Sequence, residues 1–302
     1  MKKTVTSILI VLGLILLPLK ANADLETIKR AIKERGAKWQ AGETSVSGLS
    51  LEEKKRFCGL KKPAPTEKMT QKTFEQQELP DTFDWRDWGG DWTTPIRNQG
   101  GCGSCWAFGA LAAMEALINI EANDPSVDDD LSEQFLLSCS QGDCNGWYLS
   151  KTLNFLKRGG TVFESCIPYN AIDTRCLIEV IKGRKICPNL STGKVKISGW
   201  GYVSPSVDSI RTALNLYGPL PAGMDIYDDF FNYTGGVYNH VSGGYVGDHL
   251  VAIVGYNNAE GYWICKNSWG TDWGESGWFK IKYGECSIGS PRWISYIEGI
   301  AH

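Results

Sequence analysis

A chain of 302 residues with 42% apolar side chains, 34 glycines and 12 tryptophans can bury a core for one or two compact units, which excludes a disordered or fibrous protein. The net charge of −3 is unevenly placed: residues 24–78 hold 12 Lys and Arg against 9 Asp and Glu, a net of +3, whereas residues 79–302 hold 16 against 25, a net of −9. An acidic body with no phosphate-binding motif gives no basis for a nucleic-acid partner or a nucleotide cofactor.

Lys2 and Lys3 precede an apolar run from Ile8 to Leu17, and Ala21-Asn22-Ala23 supplies the small residues of a cleavage site. Residues 1–23 are therefore expected to be a secretory signal, cut after Ala23; the run is too short for a comfortable membrane anchor. No later stretch is expected to span a membrane. Residues 24–78 are Lys- and Glu-rich and end in a polar, Pro-containing stretch from Lys61 to Glu78. A basic segment beside an acidic body suggests that the two dock.

In the body, helices are expected over Ser104–Ala122, Ser132–Cys139 and Tyr148–Arg158, the first apolar all round and therefore buried. After Gly193 the texture changes to strands at Val195–Ser198, Leu250–Tyr256, Tyr262–Asn267 and Gly277–Tyr283, separated by Gly, Asn and Asp turns. A helical half thus precedes a β-rich half, and a cleft between two such lobes is a common place for an active site. Ten cysteines stand at 58, 102, 105, 139, 144, 166, 176, 187, 265 and 286. Behind an export signal they read as a disulfide framework; with three histidines in the chain and no second closely spaced cysteine pair, no metal site is expected.

One cysteine stands apart. In Gln99-Gly-Gly-Cys-Gly-Ser-Cys105-Trp106, Cys105 opens the apolar helix, where unpaired N–H groups and the helix dipole favour a thiolate. The neighbouring glycines let backbone approach a substrate closely. Gly247-Asp248-His249 precedes a strand 144 residues later, and Lys266-Asn267-Ser268-Trp269-Gly270 follows.

These three motifs, in this order, resemble those of the papain-like cysteine peptidases, over residues 79–302 from Leu79-Pro80 and Phe83-Asp84-Trp85-Arg86 onward. The resemblance implies an α+β fold of two lobes: a helical lobe over roughly 90–193 and a β-barrel-like lobe over roughly 194–302, with the cleft between them. It also implies roles. Cys105 attacks the scissile carbonyl, and His249 holds the thiolate and later protonates the leaving amine. Asn267 orients His249 and Trp269 shields that bond, while the Gln99 amide and the Cys105 N–H form the oxyanion hole. His240 and His302 read as a loop residue and a chain end.

Lys38-Trp39-Gln40-Ala41-Gly42 and Arg56-Phe57-Cys58-Gly59 resemble the short prosegment of the cathepsin B branch, which implies that Cys58-Gly59 crosses the cleft near Cys105 against the direction of a substrate. Residues 24–78 would then be an intramolecular inhibitor, released as acid protonates carboxylates. Asp228-Asp229-Phe230-Phe231, Gly236-Val237-Tyr238-Asn239-His240 and Thr271-Asp272-Trp273-Gly274 echo the same branch. That branch carries an occluding insertion with paired histidines; between Cys166 and Cys187 this chain has no histidine and little room for it, so endopeptidase action on protein and peptide substrates is expected. An exopeptidase variant and a catalytically silent binding protein on the same fold are the alternatives.

The family's substrate-backbone glycine pair is altered: Cys144-Asn145-Gly146 runs into Trp147, by replacement or by a one-residue deletion. Leu250 follows the catalytic His where a smaller residue is common, and Pro291 stands where cathepsin B has an acidic residue at the base of the second pocket. Gly146, Trp147, Leu250, Trp269 and Pro291 are thus the expected substrate contacts, with an apolar, narrow second pocket that does not prefer arginine. The pattern implies bridges Cys102–Cys144, Cys139–Cys176 and Cys166–Cys187; Cys58 is expected to be unpaired, and Cys265 and Cys286 either pair or stay free. A monomer without a cofactor is expected, in the secretory pathway and then outside the cell, in a periplasm or in a lysosome- or vacuole-like compartment, with cystatin-type inhibitors among its partners. Asn189-Leu-Ser and Asn232-Tyr-Thr are glycosylation acceptors if the host glycosylates.

Overall fold

A computed structural model describes residues 24–63, 69–75, 78–174, 176, 194–291 and 293–301; the expected signal segment, Cys187, Asn189 and His302 lie outside them. The N-terminal segment starts with a helix whose ends are chemically marked. In α1 (Leu25–Arg35) the Asp24 side chain accepts from the Thr27 N–H, and Gly36 closes the helix at φ 62°. After β1 (Lys38–Ala41), a reciprocal capping box of Ser50 and Glu53 starts α2 (Leu51–Lys55). The two-residue β2 (Gln71–Lys72) and β3 (Thr82–Asp84) lead into the body.

The helical lobe is built on α3 (Cys105–Ala122), with α4 (Glu133–Cys139) and α5 (Leu149–Arg158) packed on it. By length and hydropathy α3 could cross a membrane, contrary to the reading of the sequence, but most of it is buried inside the protein. Ser132 caps α4 by accepting from the Phe135 N–H. Leu111, Met114, Leu136, Leu153 and Leu156 close this core.

The second lobe comprises β4 (Lys196–Val203), α6 (Val207–Tyr217), β5 (Leu220–Tyr227), β6 (Tyr233–Tyr238), β7 (Tyr245–Asn257), β8 (Tyr262–Lys266), β9 (Trp278–Lys282) and β10 (Ser295–Ala301). Among the described residues one sheet runs β1-β6-β9-β8-β7-β3, with β5 also on β7, and a second runs β10-β4-β2. The long β7 packs against α3 and joins the lobes. The expected strands are present with shifted ends; α6, β5, β6 and β10 were not anticipated.

The N-terminal segment is part of this architecture. Its β1 pairs antiparallel with β6, so Trp39 is buried between Tyr233 and Tyr238. Its charges contribute unequally. Lys29–Glu26 and Lys55–Glu52 are exposed pairs within their own helices. Lys54, by contrast, crosses to Asp228 at 2.7 Å, both side chains being almost fully buried. Exposed pairs contribute little, whereas breaking a buried one costs about 3–5 kcal/mol. Lys54→Ala should therefore weaken segment docking on that scale, read as faster hydrogen exchange over residues 38–57. Lys29→Ala should leave that exchange unchanged; equal effects would contradict the assignment of the docking charge to Lys54.

Candidate active site

Cys105 is the first residue of α3 and is fully buried. Preceding it, Cys102 is bonded to Cys144 and the Gly103 N–H donates to the Cys144 carbonyl at 2.8 Å, so the loop and the 144–147 stretch are one rigid unit. His249 lies within β7 and is also fully buried. Its Nε2 pairs with Asn267 Oδ1 at 2.7 Å, and the Trp269 ring lies 5.1 Å from the imidazole and covers that pair. Asn267 follows directly on β8, beside β7.

Gln99 is held from both ends. Its Oε1 accepts from Ser268 Oγ at 2.7 Å, which points the amide group at the carbonyls of Cys102 (2.8 Å) and Phe57 (3.2 Å). Tyr169 donates its hydroxyl to the Gln99 carbonyl at 2.8 Å. The roles of Ser268 and Tyr169 were missed in the sequence: Ser268 reaches the Gln99 side chain and Tyr169 its carbonyl across long sequence separations, and neither spacing nor residue type marks them.

The N-terminal segment fills the cleft. The Gly59 N–H donates to Cys105 Sγ at 3.2 Å, and the Leu250 N–H, next to His249, also supports that sulfur. Gly59 also accepts from the Trp147 N–H at 2.9 Å, the Lys61 N–H donates to the Trp147 carbonyl at 2.8 Å, and the Leu60 N–H donates to the Asp248 carbonyl at 3.1 Å. The fit is close: a Cβ on Gly59 would lie 1.8 Å from the Gly103 carbonyl oxygen. Trp147 offers its backbone to an extended chain, while its ring turns away onto Trp106 at 5.2 Å.

Burial governs the charge state of the covered site. Burial pushes the Cys105 thiol up to about 11, against the opposing pull of the Leu250, Gly59 and Trp106 N–H groups. Burial likewise lowers His249 to about 4, although the Asn267 side chain and the Phe57 carbonyl favour the charged ring. Both shifts favour the neutral form, so between those values the pair is thiol and imidazole. No hydrogen bond joins the His249 ring to the Cys105 sulfur in this state.

The remaining candidates separate. Leu250 is buried in the helical-lobe core with Leu60 and Trp293. Pro291 does not form a pocket base: it is exposed, and its carbonyl accepts from Gln71 Nε2 at 2.6 Å. Trp293 instead lies against Gly223 and Leu60, because the chain turns inward only after Pro291. Cys139–Cys176 is a disulfide and Cys166 is also disulfide-bonded, while Cys58, Cys105, Cys265 and Cys286 are free thiols. His240 is a structural residue, with Nδ1 3.0 Å from Asp229 and its ring stacked on Tyr227. Asn232 is buried, and its side-chain amide donates to the Gly42 carbonyl at 3.0 Å, so a glycan there is incompatible with the docked segment. Among the described residues no cluster of metal-ligating side chains occurs.

The model of the papain family cysteine proteases matches residues 79–295. "Cathepsin B-like CP2" of Giardia intestinalis is 32% identical over 288 residues, 88% of this chain and 92% of the relative. "Cathepsin B-like CP3" of the same organism is 34% identical over 274 residues, 85% and 89% of the two chains. Among solved structures, proCathepsin B S9 from Trypanosoma congolense superposes with a TM-score of 0.79 at 24% identity, covering 93% of this chain and all of that one. The digestive procathepsin L2 proteinase from Tenebrio molitor gives 0.74 at 30%, covering 90% and 88%. The Carica candamarcensis cysteine protease CMS1MS2 in complex with E-64 gives 0.60 at 32%, covering 73% and 99%.

A neutral, covered thiol should react slowly with iodoacetamide at pH 7, since the thiolate is the nucleophile. Gly59→Ala forces the segment off Gly103 and should raise the alkylation rate of Cys105 by at least about tenfold, measured by peptide mapping. An unchanged rate would show that the segment does not guard the sulfur.

Proposed function

The chain belongs to the papain family of cysteine proteases, with cathepsin B-like relatives, and from that premise we propose that it is a secreted endopeptidase made as a zymogen, with residues 24–78 as its inhibitory prosegment. The observation that carries this reading is the placing of Phe57–Gly59. The Gly59 N–H meets Cys105 Sγ, and the Phe57 carbonyl meets the Gln99 amide, so one short stretch engages both the nucleophile and the expected oxyanion donor. A substrate carbonyl in the place of the Phe57 carbonyl would be polarised by Gln99 while the Cys105 sulfur attacks its carbon. With the prosegment gone, water and the dipole of α3 favour a Cys105 thiolate, and His249, steadied by Asn267, carries the proton to the leaving amine. Endopeptidase action is supported by the absence of histidine between Cys166 and Cys187. Secretion is supported by the first 23 residues.

Acid release follows from the signs of the shifts. His249, lowered to about 4 when covered, binds a proton more readily when exposed. Docking therefore weakens as pH falls through the ordinary histidine range towards 4. Asp248 lies above the usual carboxylate range, chiefly through burial, so it is among the first carboxylates to take a proton and release Lys62, 3.5 Å away.

A protein-digest experiment tests the reading. The processed enzyme should release internal fragments from a denatured protein, optimally in acid. Cys105→Ala should abolish cleavage, and Gln99→Ala should lower kcat by roughly 10²–10³. Release of C-terminal dipeptides alone would replace the endopeptidase assignment. A folded processed protein that neither cleaves nor binds an epoxide at Cys105 would favour the silent binding protein.

A further inference from the structure

Prosegment residues 60–62 lie on a pair of body strands whose register sets three side chains and one glycine on one face. In the β5–β7 ladder Gly223 stands opposite Leu250 and Asp225 opposite Asp248, so these residues share a side of the sheet. Leu60 fills the first half of that surface. A Cβ at position 223 would lie 2.5 Å from Leu60 Cδ2 and 3.0 Å from Trp293 Cβ. The floor is apolar, and the missing side chain at Gly223 makes its depth.

The second half is charged. Lys62 Nζ is 3.6 Å from Asp225 Oδ1 and 3.5 Å from Asp248 Oδ1. It also lies over two aromatic faces, 5.4 Å from the Tyr245 ring centre and 5.3 Å from that of Trp293. The body side of this contact is preset. The Ser287 hydroxyl donates to Asp225 and the Tyr245 hydroxyl to Asp248. The carboxylates are largely buried, at 16% and 8% exposure, whereas Lys62 is 58% exposed. Two buried acids face to face repel unless a cation neutralises them or one of them holds a proton, and when both are ionised, aromatic faces flanking a cation add to its binding. The cation present here belongs to the piece that leaves.

We propose that Asp225, Asp248, Tyr245 and Trp293 form a cation-recognising subsite that selects a lysine or arginine side chain in the substrate, N-terminal to the scissile bond, and that Lys62 occupies it in the zymogen. The assignment rests on the peptidase reading, which makes the Gly146–Trp147 side of the cleft the side of the substrate's N-terminal residues. It amends the expectation of an apolar pocket indifferent to basic residues. The floor beneath Leu60 is apolar, but a charged rim adjoins it. The acidity comes from facing strands rather than from position 291.

The test uses enzyme processed from the full chain and fluorogenic peptides that differ only by lysine or norleucine at each of the residues preceding the scissile bond. Enzyme is counted by epoxide titration of Cys105. At one position kcat/KM for lysine should exceed that for norleucine by about tenfold, and the ratio should fall towards one in Asp225→Asn and in high salt. Norleucine equal to lysine at every position, or a ratio indifferent to Asp225→Asn, overturns the subsite. If none of the peptides is cleaved, the peptidase reading fails separately. The subsite is then decided by the Kd of a synthetic peptide of residues 50–63. A Lys62→Met peptide should bind about tenfold more weakly, and equal binding overturns the proposal.

Discussion

One contact organises the covered state: the Gly59 N–H on the Cys105 sulfur, 3.2 Å apart, beneath a carbonyl that leaves no room for a side chain. A residue with a Cβ at position 59 would lift the chain off Gly103. The bonds that Trp147 exchanges with Gly59 and Lys61, and the one the Gln99 amide donates to the Phe57 carbonyl, would then lose their register. The contact is held from a distance. The β1–β6 pairing and the Lys54–Asp228 ion pair anchor the segment upstream, and Lys62 holds it downstream.

The same contact accounts for the neutral forms of Cys105 and His249 in this state. Water removed from a thiol and an imidazole disfavours the charged form of each, and three N–H groups near the sulfur recover only part of the loss. In the proposed zymogen, latency would have two components with one origin: the segment occupies the groove by its volume and keeps the pair neutral by dehydrating it. Protonation of His249 and of the carboxylates would oppose the second, which is how the proposal couples release to acidity.

Much of this was legible in the sequence where chemistry is local. Cys105 at the head of an apolar run and Asn267 ahead of Trp269 are marked by their neighbours, whereas His249, read as preceding a strand, lies within β7; the caps of α1, α2 and α4 obey short-range rules, although α1 and α2 were not anticipated. What escaped depends on register across long separations. β5 has no alternating pattern because both its faces are buried, and it contains Pro221 and Gly223, so it does not read as a strand. β1 exists only through its pairing with β6. The Asp225–Asp248 pairing appears only once β5 lies beside β7, and Trp293 displaced Pro291 because one turn decides which of them points inward. α6 carried a visible Ser206 cap and Asp208 in its first turn, and was missed because the surrounding stretch reads as β.

The central claim is that the docked segment itself suppresses the charge on the catalytic pair. With three histidines in the chain, the ring protons of His249 can be followed by NMR through a pH titration of the full chain and of the processed enzyme. The account predicts that His249 stays neutral until about pH 4 in the full chain and remains protonated above the ordinary histidine midpoint once the segment is removed. The same midpoint in both forms would contradict it.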